Sequence, residues 1–441
     1  MRPYERIFCL GLVCLRQNMP TIGHSGPVIL VTSVFRLAAA LLLAGPPLAA
    51  APSAAPIAQG GSAATVDIAA GPKAVAPGVT FRTFRVPASR GSTRVYLVTA
   101  DLNSPHVHAG LLYSGAVAAR QTVLRMAEDQ GVIAAVNGNF FDIDEGEHPG
   151  VPATGAPSGP AVIDGYPLEA AVPAAQQFGW QPLRGDAGED VVGVGTDGVA
   201  RVARLTLRGD IHTPDATLSL GGLNQYALPV GSIGLFTPLW GTASRARAVC
   251  GTDTNRAAPC SRDTYEVTVR NGRVAALSNA PGHGAIRANT IVLLGREAGA
   301  DALRALPLGA PVQVDYSLEP SSGIPFAFAL GAQPLLRAGR PVPGLDAATA
   351  DPRTAVCIAD GGHALTLLTT DGREGTSTGL TLTRLADLLS RLGCTDAANL
   401  DGGASTTLVT RNPFTGRLTV RNTLDHGQER PVPNGVAIFS R

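Results

Sequence analysis

The sequence predicts an α+β fold, with mixed β-sheets and a few covering helices in a single large domain. Three observations lead there. Apolar and polar residues alternate with period two in many short stretches, helical periodicity is confined to two, and 52 Gly with 34 Pro among 441 residues supply the turns of a loop-rich protein. With 45% of residues hydrophobic, material for a core is ample. Arginine replaces lysine almost wholly, Lys73 being the only lysine, and the formal charge is +1. Residues 1–51 hold four Arg and one Glu, so the remainder carries −2 and offers no basic field for nucleic acid.

From the N-terminus, Arg36 precedes the apolar run Leu37 to Leu43, then Pro46-Pro47 and the small residues Ala49-Ala50-Ala51. This is the pattern of a cleaved export signal, which assigns residues 1–51 to an N-terminal extension and signal peptide and the mature protein to a secreted or cell-envelope location. A membrane anchor from Val28 to Ala44 is the competing reading, but Arg36 interrupts it and a span needs roughly 20 apolar residues. No stable span is expected after processing. Residues 52–77, rich in Ala, Pro and Gly without periodicity, read as a flexible linker, with order beginning near Val79.

Strands are expected at Thr80 to Val86, Arg94 to Leu102, Val199 to Leu207, Tyr265 to Arg270, Val274 to Leu277 and Val312 to Leu318. A helix is expected from Thr383 to Leu392, where Leu385, Leu388, Leu389 and Leu392 share a face and Gly393 supplies the stop. A second runs from Thr122 to Gln130 and ends at Gly131. Beyond the leader remain Cys250, Cys260, Cys357 and Cys394, an even number in an exported chain. Three pairings are possible. Cys250 with Cys260, closing a short polar loop, is favoured and leaves Cys357 with Cys394; buried free thiols are the alternative for the latter two. With neither a CxxC pair nor an HExxH arrangement, no zinc site or other metal is expected.

The segment Asn399-Leu400-Asp401-Gly402-Gly403-Ala404-Ser405-Thr406-Thr407 places an acid and two glycines at the end of an apolar strand. Glycines let a ligand approach the main chain, and three hydroxyls follow, a setting suited to an anionic sugar. A parallel unit lies upstream. Each helix passes through glycine into a short apolar strand and a polar turn, one ending at Asn137-Gly138-Asn139-Phe140-Phe141-Asp142 and the other at Asp401-Gly402-Gly403. If both strands end side by side, Asn137 and Asp401 face one cleft; two unrelated turns is the bland alternative. His148, in an acidic loop, and His283, in a Gly-His-Gly turn, read as solvent-facing. The GxSxG pattern of a serine nucleophile is absent around Ser405.

VNGNFF at 136–141, LGAQPLLRAG at 330–339, DPRTAV at 351–356, DGR at 371–373, STGLTLTRLADLL at 377–389, NLDGGASTTLV at 399–409 and RPVPNGVAIF at 430–439 occur in one order. Together they resemble the phosphodiester glycosidase family, which includes an uncovering enzyme that removes N-acetylglucosamine from a sugar phosphodiester. The resemblance spans roughly Val79 to Arg441 and makes residues 78–441 a catalytic domain of that kind. Two departures are Ala404, where the family more often has a third glycine, and Ala332-Gln333, where it tends to have glycines.

What the resemblance implies is hydrolysis of the bond between the anomeric carbon and a phosphate oxygen, without a cofactor. The substrate would be a sugar-phosphate diester or an envelope glycopolymer. Arg353 would clamp the phosphate as a fixed cationic fork, and Asp401 would stabilise the oxocarbenium-like carbon, attack it, or activate water. Substrate contacts fall to Asn137, Phe140, Phe141, Arg373, Gly402, Gly403, Ser405 and Asn434. Each has a structural alternative: Asn137 and Asn434 precede glycine as turn residues do, adjacent phenylalanines usually fill a core, and Asp371-Gly372-Arg373 is an ordinary hairpin turn. Two other functions stay open, a carbohydrate-binding surface protein without turnover and a phosphodiesterase that breaks the P–O bond.

Overall fold

Alternation along the strands decides how the layers stack. The structure, a computed structural model, describes residues 8–10, 13–15, 71–179, 188–373 and 378–440. The expected leader, its cleavage pattern and the linker as far as residue 70 lie outside the described residues, apart from two short strands. The chain divides into two units, Met1–Ala64 and Thr65–Arg441. In the first, Phe8–Leu10 and Val13–Leu15 pair antiparallel; everything below concerns the second.

An eight-stranded sheet runs in the order Arg340–Pro341, Gln333–Arg337, Asp396–Asn399, Arg353–Ala359, Ala364–Thr370, Ser92–Asp101, Val79–Pro87, Lys73–Ala76. A five-stranded sheet has the order Leu418–Val420, Leu408–Arg411, Ala134–Asn137, Asn434–Ser440, Val107–Tyr113. Val98, Val356, Leu367 and Ala398 of the first sheet share one buried cluster with Leu111, Val136, Leu408 and Ile438 of the second, so the two sheets pack face to face. One residue along each strand, the side chains turn the other way. Leu97, Ala355, Leu368 and Ala397 meet Leu385 and Leu389 of helix α3 (Leu382–Arg391). Ala135, Val409 and Ala437 meet Val123, Met126 and Ala127 of helix α1 (Val123–Gln130). The order of layers is therefore helix, sheet, sheet, helix.

Both helices begin and end as their sequences dictate. Thr122 accepts a hydrogen bond from the Arg125 N–H at 3.2 Å, and Gly131 closes α1 at φ 68°. Thr381 caps α3 through the Arg384 N–H at 3.3 Å, which starts the helix one residue before the expected Thr383. The expected strands are all present, the longest extending to Ala200–His212. Lys73–Ala76, inside the stretch read as linker, forms a strand against Val79–Phe81 because Val75 is buried there.

A second lobe combines a seven-stranded sheet, in which Asp190–Gly195 pairs Phe326–Gly331, with a five-stranded sheet centred on Thr290–Arg296. Its helix, α2 (Ala298–Arg304), has no counterpart in the sequence reading. Among the described strands only Gly222–Leu223 and Ile233–Phe236 pair parallel. The rule that ligands gather at the carboxyl ends of parallel strands thus has no purchase here. Both favoured disulfides are formed, Cys250–Cys260 and Cys357–Cys394, the latter in the α3 layer.

Leu389→Ala is expected to cost about 2–5 kcal/mol of stability, read as a lower urea midpoint at unchanged slope, because the fully buried side chain leaves a cavity beneath α3. Leu308→Ala, at a side chain 65% exposed, should stay within about 0.5 kcal/mol of the wild type.

Candidate active site

The strand ends Ala134–Asn137 and Asp396–Asn399 belong to different sheets, yet the turns that follow them are bonded together. Asp401 N–H donates to the Gly138 carbonyl at 2.9 Å, and the Asn137 side-chain amide donates to the Asp401 carbonyl at 2.6 Å. Asn137 Oδ1 in turn accepts from the Thr354 hydroxyl at 2.8 Å and the Thr407 N–H at 3.1 Å. The orientation of the amide follows, since a backbone N–H can only donate. Gly402 and Gly403 fit the same turn tightly. A Cβ on Gly402 would lie 2.8 Å from the Pro352 carbonyl, and Gly403 has φ 59° with its N–H on that carbonyl at 2.9 Å.

Asp401 as a residue is part-exposed while its carboxyl is desolvated, and Ser405 beside it is fully buried. Burial pushes the Asp401 carboxyl up to about 6, against a hydrogen bond from Ser405, the charge of Arg430 and the Gly402 N–H, which all favour the ionised form. Arg430 Nη1 donates to Ser405 Oγ at 3.3 Å, so the hydroxyl links guanidinium and carboxylate. Arg430 makes no contact ion pair among the described residues. The other two arginines are committed differently. Arg373 lies beside Gly403 between Asp351, 2.9 Å away, and Asp425, 3.2 Å away. Arg353, near Gly402, donates from Nε to the Leu380 carbonyl at 2.8 Å and from Nη2 to the Thr349 carbonyl at 2.6 Å. The arrangement can hold an anion at Arg430 with a titratable carboxyl alongside. A cavity of about 630 Å³ opens elsewhere, between Ala74–Thr80 and Arg411–Gly416, and none of these residues lines it.

The family model for phosphodiester glycosidase matches residues 263–439, which carry Arg353, Arg373, Asp401, Ser405 and Arg430. Over that stretch, about two fifths of the chain, the protein is similar to the phosphodiester glycosidase family. No curated protein matches. Among solved structures, a hypothetical protein from Synechocystis is similar at 22% identity and TM-score 0.62, over 83% of this chain and 62% of that one. A Burkholderia pseudomallei protein, named as an exported one, is similar at 22% identity and TM-score 0.61, over 80% of this chain and 75% of that one. Both likenesses concern the fold. The chain spans less than two thirds of the Synechocystis protein. The zebrafish N-acetylglucosamine-1-phosphodiester alpha-N-acetylglucosaminidase catalytic domain aligns at 15% identity and TM-score 0.41, over 83% of this chain and 85% of that one, too distant to carry an argument.

Several residues expected to touch substrate are turned inward. Phe141 is 1% exposed, packs with the α1 layer and carries the Arg120 guanidinium over its ring; Phe140 is also buried, against Gly179. Their rings fill interior space rather than walling a sugar. Asn137 is fully buried with both side-chain ends bonded to protein, and buried Asn434 accepts the Asn139 N–H at 2.9 Å. These amides hold the two turns instead of meeting solvent, because a buried backbone group left unpaired is costly. His148 is buried too, contrary to its reading as solvent-facing, whereas His283 is exposed.

Sequence reasoning passed over Arg430, although RPVPNG contains it. A cation's meaning depends on what it faces, and its partners Ser405 and Asp401 lie 25 and 29 positions away. The legible signal was the stiff segment Pro431 to Asn434, pinned by paired Gln121–Val432 backbone bonds. Asn137→Asp should destabilise the fold by about 3 kcal/mol, read from the denaturation midpoint, because a carboxylate cannot donate to the Asp401 carbonyl and two oxygens would then meet.

Proposed function

We propose that the chain is an exported hydrolase that cleaves the sugar C1–O bond of a glycosyl phosphodiester, releasing a free sugar and a phosphomonoester. The observation that carries this reading is the Asp401–Ser405–Arg430 constellation, a carboxyl near the middle of the pH range joined through one hydroxyl to an uncommitted guanidinium. The match of residues 263–439 to the phosphodiester glycosidase family model supports the reaction class. Two disulfides and the leader at residues 1–51 support export.

In this mechanism Arg430 takes the bridging phosphate, with Arg353 and Arg373 flanking Gly402 and Gly403. A phosphate leaves with the electron pair of the C1–O bond and holds that charge more readily than an alkoxide, so a strong general acid matters less than in ordinary glycoside hydrolysis. The developing positive charge at C1 falls to the ionised Asp401 carboxylate, as electrostatic stabiliser, nucleophile or base toward water. Water supplies the new C1 hydroxyl and gives its second proton to buffer. Asn137 and Asn434 act through the backbone, fixing where the carboxylate sits.

All three roles require ionised Asp401, so kcat/KM should rise with pH through about 6; a general-acid role would make it fall there. Ser405→Ala removes a hydrogen bond that favours the ionised form, so the limb should move to higher pH. Its failure to move would show that another group titrates.

Asp401→Asn is expected to reduce turnover roughly 10²–10⁴-fold on a panel of sugar 1-phosphodiesters, and Arg430→Ala to weaken it mainly through KM. In oxygen-18 water the label should enter the sugar; label in phosphate would assign P–O cleavage, and saccharide binding without turnover would assign a binding protein.

A further inference from the structure

We propose that His148, Cys250 and Cys260 form a binding site for a thiophilic divalent cation such as zinc once the Cys250–Cys260 disulfide is reduced. One ligand atom from each residue lies within 4.8 Å of the other two. This set combines two sulfurs and an imidazole, donors that select zinc-like ions over calcium or magnesium.

Three features around His148 prepare the site. His148 Nε2 lies 2.9 Å from the Arg256 carbonyl, which can only accept, so Nε2 carries the proton and Nδ1 keeps its lone pair. That nitrogen faces Cys260 Sγ at 3.9 Å. Metal-binding histidines characteristically have this second bond to a backbone carbonyl, which fixes ring and tautomer. The carbonyl is itself held in place, because the Arg256 side chain pairs with Glu147 at 2.7 Å, donates to the Gln177 carbonyl at 3.1 Å and lies over the Phe178 ring.

Cutting the disulfide would not separate the two sulfurs. Gly251 N–H donates to the Ala258 carbonyl at 3.0 Å and Ser261 N–H to the Val249 carbonyl at 2.8 Å, a ladder flanking both cysteines that owes nothing to the S–S bond. Cys250 is fully buried, but Cys260 is part-exposed, which gives reductant and ion a way in. No local motif announces the site, since the cysteines are ten positions apart and His148 lies more than one hundred residues upstream. This is why the absence of CxxC and HExxH pointed away from zinc.

The chemistry balances with a dithiol as reductant. It gives two electrons and two protons to the S–S bond, becomes a cyclic disulfide itself, and leaves Cys250 and Cys260 as thiols. The cation then displaces both thiol protons to buffer and accepts an electron pair from each sulfur and from His148 Nδ1. Two thiolates neutralise the dication.

The test uses the full chain, reduced anaerobically with excess dithiol, freed of it by gel filtration, and split into samples with and without zinc chloride. Timed alkylation with iodoacetamide is read cysteine by cysteine by mass spectrometry. Zinc should slow alkylation of Cys250 and Cys260 at least about tenfold and leave Cys357 and Cys394 unchanged. His148→Ala should weaken that protection about 10–100-fold in zinc concentration, and unreduced protein should bind no zinc by equilibrium dialysis. Equal slowing of Cys250, Cys260, Cys357 and Cys394, no slowing at all, or undiminished protection in His148→Ala would each overturn the proposal. If reduction unfolds the chain, the four cysteines will alkylate alike with and without zinc, which also counts against it.

Discussion

The Asn137 side chain is the interaction on which the rest of the site depends. Apolar contact between two packed sheets is not directional, so it does not by itself fix one layer relative to the other. Asn137 supplies the direction. It stands at the last position of its own strand and reaches the Asp401 carbonyl, the Thr354 hydroxyl and the Thr407 N–H. A leucine would leave three buried polar groups unpaired and an aspartate would repel the carbonyl, so the position demands a side chain that both donates and accepts. With the Asp401–Gly138 backbone bond added, the acid's main chain is fixed by a strand 264 residues away.

Electrostatics then divide the nearby arginines by function. Arg373 has two carboxylate neighbours and Arg353 two carbonyl acceptors, so both guanidiniums are largely satisfied by the protein and act as struts for the glycine turn. Arg430 contacts only a neutral hydroxyl at hydrogen-bonding distance among the described residues, and the charge it projects toward Asp401 is correspondingly uncompensated. Burial alone would drive Asp401 further toward its neutral form. Ser405, Arg430 and Gly402 restrain that drift, which is how one carboxyl comes to titrate near the middle of the pH range.

What the sequence disclosed follows from the range of the forces involved. Strand positions, the two longer helices and both disulfides were legible because alternation, capping and loop closure act over a few residues or within a small set of pairings. Helix α2 escaped because seven residues offer less than two full turns of periodicity, and its N-terminal neighbour Glu297 sits at φ 48° without a side-chain cap. Asn137 and Asn434 were expected to touch substrate and instead bond protein groups: an amide's chemistry is visible in sequence, whereas its partners are set by tertiary packing. Phe140 and Phe141 show the same limit, since an aromatic pair suits a sugar wall and a core equally until burial decides. Arg430 and the His148 cluster were illegible for the opposite reason, their partners lying far apart along the chain.

The glycine turn separates what the fold requires from what a ligand reads. Gly402 is held to the Pro352 carbonyl at a distance no Cβ tolerates, and Gly403 combines a left-handed backbone with the Arg373 guanidinium, 3.2 Å from where its Cβ would be. Both glycines are needed for the chain to pass between Pro352 and Arg373 whatever is bound. Ala404 carries no such demand, for its side chain is accommodated and part-exposed in the same turn. A methyl group there leaves the backbone as it is and changes only the surface the turn presents. Position 404 is therefore where the surface beside Asp401 can vary without moving the turn that holds it.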